Sequence, residues 1–84
     1  MTLEDKPTEI KPVEVVDTKG MLCPLPVFKT KQAIRRVKAD QVIEVLATDP
    51  QAESDITSWV GRNGHQLVEL TNENGILRFL IRKR

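Results

Sequence analysis

The chain has 84 residues, 39% apolar and 30% charged, and its 13 basic side chains stand against 12 acidic ones for a net charge of +1. That length fits one small domain, which hides only roughly 60 to 65% of the surface its unfolded chain exposes, and the near-neutral total does not indicate a general nucleic-acid binder. A solitary cysteine excludes an intrachain disulfide framework, so a reducing cytoplasm is the expected location.

In chain order, residues 1–12 (MTLEDKPTEIKP) are acidic, interrupted by proline and without the apolar stretch of a signal peptide; they are expected to form a flexible tail ahead of one domain over residues 13–84. No apolar run approaches the ~20 residues of a membrane span, so no membrane partner is expected. Val13-Glu14-Val15-Val16 is short and β-branched, and Asp17-Thr18-Lys19-Gly20 supplies turn residues, which predicts a strand ending in a loop. From Pro24 the period changes. Val27, Thr30, Ile34 and Val37 form one helical stripe, flanked by Lys29 and Arg36 on one side and by Lys31, Arg35 and Lys38 on the other.

Gln41 to Ala47 is apolar almost throughout and predicts a central strand. Asp49-Pro50 then opens a second helix with Asp49 as its N-cap, Ala52, Ile56, Trp59 and Val60 as its buried stripe, and Gly64 at its end. His65 to Thr71 and Ile76 to Arg82 are strand-like, joined by Asn74-Gly75, a type I′ turn signal. The order β-α-β-α-β-β predicts an α/β fold: a two-layer sandwich with a four-stranded mixed sheet and two helices on one face.

The chemistry concentrates in Gly20-Met21-Leu22-Cys23-Pro24-Leu25-Pro26. Cys23 precedes a proline, which predicts the thiol at an N-cap position, with Leu22 and Val27 as a hydrophobic staple. A helix N-terminus lowers a cysteine pKa, but Pro24 and Pro26 remove two first-turn N–H donors, so the expected depression is moderate. The prolines leave the sulfur on a rigid, exposed tip, which suits transfer to a partner.

Other readings of these residues are weaker. One cysteine and one histidine do not make a four-ligand zinc site, and a cysteine hydrolase with His65 as base lacks any marked orienting group or oxyanion hole. His65 reads as a hydrogen-bonding residue at a strand start, Trp59 as core, and Phe28 as either edge of the core or docking surface. The basic helix is by default a solvated face, although cations beside a reactive sulfur fit an acidic partner surface.

With Asp17-x-x-Gly20-x-x-Cys23-Pro24-x-Pro26 in place, the sequence resembles the TusA/SirA/YedF-like family of small sulfur carriers. Ala47-Thr48-Asp49-Pro50, Asp55-Ile56, Gly64-His65 and the closing FLIRKR extend the resemblance over residues 13–84. It implies a persulfide on Cys23, received from a cysteine desulfurase or rhodanese-type donor and passed to a downstream acceptor protein. The family's destinations include tRNA thiolation, molybdenum cofactor assembly and dissimilatory sulfur trafficking. Asp17, Gly20, Pro24 and Pro26 would support the motif; Lys19, Phe28, Lys29, Arg35 and Arg36 would meet partners. No cofactor, no metal and no direct nucleic-acid partner are expected, and the isolated protein is expected to be a monomer acting as a relay component. The rival is a protein- or RNA-interaction module that uses the basic helix while Cys23 is incidental.

Overall fold

The computed structural model of the protein describes residues 11–84. Most of the tail assigned to residues 1–12 therefore lies outside the described residues. The elements are β1 (Glu14–Thr18), α1 (Leu25–Arg36), β2 (Val42–Ala47), α2 (Gln51–Arg62), β3 (Gln66–Glu73) and β4 (Ile76–Arg82), in the predicted order.

The sheet order is β1-β2-β4-β3. β1 runs parallel to β2, as a β-α-β crossover requires, whereas β4 is antiparallel to both β2 and β3 and so is inserted between them. β2 is thus a central strand, which is why Val42, Ile43, Val45 and Ala47 are all buried. Glu73 pairs with Ile76 across a two-residue turn in which Asn74 and Gly75 both have positive φ, at 56° and 85°, as a type I′ hairpin demands. A register shift between Leu67 and Glu69 marks a bulge in edge strand β3.

Alternation along the strands sends Ile43, Val45, Ala47, Leu77, Phe79 and Ile81 to the helix-covered face. There they meet Ala33, Ile34 and Val37 from α1 and its end, with Ala52, Ile56 and Val60 from α2. On the opposite face Arg78 spans two carboxylates, with Nε 3.1 Å from Glu44 and Nη1 3.9 Å from Glu69. Among the described residues no helix is long and apolar enough to cross a membrane.

Candidate functional site

The loop from β1 into α1 is shaped by short polar contacts. Asp17 Oδ1 accepts the Lys19 N–H at 3.0 Å, the Met21 N–H returns to the Thr18 carbonyl at 3.0 Å, and Gly20 sits between them at φ 83°. Gly20 N–H then donates to Thr48 Oγ1 at 2.8 Å, tying the loop to the end of β2. Asp17 and Gly20 therefore build the turn that delivers the chain to Cys23.

Cys23 is exposed and free, but it is not the N-cap. Leu25 N–H bonds back to Leu22 O at 2.9 Å, and the first helical bond runs from Phe28 N–H to Pro24 O at 3.1 Å, so Pro24 caps α1 and Cys23 stands one residue outside it. The expected staple is also absent: Leu22 is 71% exposed, too open to clamp Val27. Pro26 is buried instead, and its carbonyl accepts from Thr30 Oγ1 at 2.8 Å.

What the local sequence pattern did not reveal is the acid pair on the other side. Asp49 Oδ2 accepts the Cys23 N–H at 2.7 Å while Oδ1 accepts the Gln51 N–H at 3.0 Å, so one carboxylate links the thiol loop to the start of α2. Asp49 is not the expected N-cap of α2: the cap is Pro50, and Asp49, one residue earlier, still takes the Gln51 amide because its side chain reaches two residues forward. Cys23 Sγ donates to Asp55 Oδ2 at 3.2 Å. These contacts reverse the expected effect on the thiol. Its pKa is raised: first by the hydrogen bond to Asp55, then by lost hydration, then by the negative charges of Asp55 and Asp49. The helix end offers few amides to oppose them, because two of its first residues are prolines.

Sγ opens onto a groove of about 400 Å³ between the helices, whose lining includes Val27, Lys31, Asp55, Trp59 and Arg62. Through Lys31 and Trp59 it meets a second hollow of about 310 Å³ bounded by Ile34, Arg35, His65 and Lys83. Trp59 packs against the core and also forms groove wall, so it is only partly the core residue expected. Its ring lies 5.2 Å from that of His65. His65 Nδ1 accepts the Arg84 N–H at 3.0 Å, a structural bond at the far end from the thiol.

The cations of α1 and of the loop before it divide into paired and unpaired ones. Arg36 is ion-paired with Glu14 of β1, and Lys19 with Asp17 at 3.5 Å. Among the described residues no carboxylate lies within ion-pair range of Lys29, Lys31 or Arg35. Lys31 faces the groove and Arg35 the adjoining hollow, whereas Phe28, 50% exposed, stands with Leu22 and Leu25 among the exposed apolar side chains near the thiol. No cluster of metal-ligating side chains occurs among the described residues.

A β-α-β-α-β-β sandwich bearing an exposed Cys-Pro-x-Pro thiol ahead of its first helix places the chain among small α/β-sandwich proteins that present a thiol at a loop-to-helix junction. The chain belongs to the family described as Sulfurtransferase TusA, whose profile matches residues 14–83. It is 43% identical over 74 residues to YrkI of Bacillus subtilis, which carries the provisional name of a sulfur carrier protein; the match covers 88% of this chain and 99% of that one. It is 35% identical over 68 residues to the sulfur carrier protein TusA of Allochromatium vinosum, covering 81% and 90%. A SirA-like protein from Desulfitobacterium hafniense has the same fold, with a TM-score of 0.75 at 25% identity over 82% of this chain and 95% of that one.

Proposed function

We infer that the protein is a sulfur carrier in which Cys23 holds sulfane sulfur as a persulfide between a donor and an acceptor protein. The observation that supports this best is the single exposed thiol, held by Asp49 and Asp55 at the mouth of an interhelical groove. A carrier needs one accessible sulfur and no neighbouring thiol to expel its cargo as a disulfide, and this sequence has one cysteine. The names of the relatives support the same reading.

In loading, Cys23 thiolate attacks the terminal sulfur of a donor persulfide; the Sγ–S bond forms, the donor's S–S bond breaks, and the donor leaves as thiolate. A cysteine desulfurase or rhodanese-type protein fits as donor, and a protein thiol as acceptor. Phe28, with Leu22 and Leu25, would provide apolar contact around the sulfur, while Lys29 and Arg35 would steer acidic partner surfaces. Arg36 and Lys19, already paired, contribute less.

The test is to incubate the protein with a cysteine desulfurase, its cofactor and cysteine, and weigh it. The expected result is a gain of one sulfur that reductant removes and that Cys23→Ser prevents. No gain with any persulfide donor would sink the reading, and salt-sensitive RNA binding indifferent to Cys23→Ser would favour the interaction-module alternative.

A further inference from the structure

The contact between Cys23 and Asp55 depends on whether sulfur is bound. The 3.2 Å bond needs a hydrogen on Sγ. In a persulfide Sγ is bonded to the terminal sulfur and has no hydrogen to donate, and in a thiolate it is an anion facing a carboxylate. Only the protonated, unloaded form donates an Sγ–H to Asp55.

Asp55 is also held in place for this contact. Gln51 Nε2 donates to its Oδ1 at 3.3 Å, leaving Oδ2 for the sulfur. Asp49 fixes the Cys23 backbone from the start of α2, so the thiol loop and the carboxylate share one support. The charged groups around the thiol are Asp49 before α2, Asp55 and Arg62 from α2, and Lys31 from α1. Lys31 and Arg62 favour an anion in the groove, but Asp55 is the one in direct hydrogen-bond contact with Sγ.

Resting on the sulfur-carrier reading, we propose that Asp55 is a positioning residue that biases the transfer equilibrium toward delivery by capturing the emptied thiol in the Sγ–H···Oδ2 bond. In delivery the acceptor thiolate attacks the terminal sulfur of the Cys23 persulfide. A sulfur–sulfur bond forms on the acceptor, the Sγ–S bond breaks, and its electron pair leaves on Sγ, which takes up the proton the acceptor thiol gave to solvent. The sum is acceptor-SH plus Cys23–S–SH giving acceptor–S–SH plus Cys23–SH, with no external oxidant or reductant. Stabilising Cys23–SH alone moves this equilibrium to the right. The same bond resists loading from small persulfides, so net capture depends on a protein donor whose docking offsets its loss.

The experiment equilibrates the full chain, Asp55→Asn and Asp55→Ala with a fixed ratio of glutathione persulfide to glutathione near neutral pH and reads the loaded fraction by intact mass. The loaded-to-empty ratio should rise roughly three- to tenfold in Asp55→Ala, the net weight of one ordinary hydrogen bond, because exposure to water weakens the pull of the charged acceptor. In Asp55→Asn, which keeps shape but loses charge, it should rise less. In parallel, the pH profile of Cys23 alkylation by iodoacetamide should move to lower pH in both variants. Equal loading in all three proteins with superimposed alkylation profiles would overturn the role of Asp55 and leave the carrier reading intact. Failure of all three to load, here and from a desulfurase, would defeat the carrier reading and this inference with it.

Discussion

Asp49 does two jobs with one carboxylate, and the geometry says what each is worth. Its Oδ1 takes an amide at the start of α2 and its Oδ2 takes the Cys23 amide, two donors that would otherwise need water. Asp49→Ala should cost about 1 kcal/mol, the usual net weight of a lost hydrogen bond, seen as a lower urea midpoint at unchanged m-value. Gly20 is constrained differently. A Cβ there would meet nothing within 4 Å, but φ is 83°, so the cost of Gly20→Ala is conformational. It should destabilise by roughly 1 to 2 kcal/mol in the same titration. Because Gly20 sits in the turn that leads to Cys23, the alkylation rate of the thiol should change as well.

At the scale of elements, the end of α2, the start of β3 and the C-terminal strand are joined by His65. Its pKa is lowered from 6.5, first by burial and then by the charges of Arg84 and Lys83. The neutral ring is needed because Nδ1 accepts the Arg84 N–H. A depressed folded-state pKa means the unfolded chain binds the proton more readily, so this contribution to stability is complete above about 6.5 and declines as pH falls through the lower folded value. The one tryptophan, Trp59, lies 5.2 Å away and reports on it. Its fluorescence should change on acidification with a midpoint below 6.5, and His65→Asn should abolish that transition. The same elements separate what was legible in the sequence from what was not. Asn74-Gly75, the β-branched runs of β1 and β2 and the 3.6-residue stripes are local signals, and they placed all six elements. The insertion of β4 between β2 and β3 is a long-range pairing that no local pattern encodes. Likewise, Asp49 and Asp55 reach Cys23 from 26 and 32 residues away. The helix end at Cys23 is formed by neighbours in sequence, whereas both carboxylates are brought to it by the fold, so the thiol pKa rises where the local pattern implies a moderate fall. Pro24 also displaced the cap by one residue, because its carbonyl, not that of Cys23, accepts the first helical bond.

Across the whole molecule, the groove-side cations of α1 and the apolar face around Cys23 lie on the helical layer, while the strands supply the support beneath. If partners approach that layer, Arg35→Glu should slow sulfur acceptance from a desulfurase several-fold at low ionic strength, with the deficit shrinking as salt screens it. Stability should respond in the opposite pattern. Cys23 is exposed and contributes nothing to the core, so Cys23→Ser should leave the urea midpoint unchanged while eliminating sulfur gain. Phe79 is fully buried on β4, the strand flanked by β2 and β3, and it packs in the cluster that includes Ile34 of α1 and Ile56 of α2. Phe79→Ala should cost about 3 to 5 kcal/mol, from lost transfer energy plus the cavity left behind. A small domain holds only about 5 to 15 kcal/mol in total, so this variant should unfold near or below physiological temperature in a thermal scan. Should it still load sulfur at low temperature, the loss at higher temperature traces to unfolding of the helical layer that receives the donor, since the thiol itself is untouched.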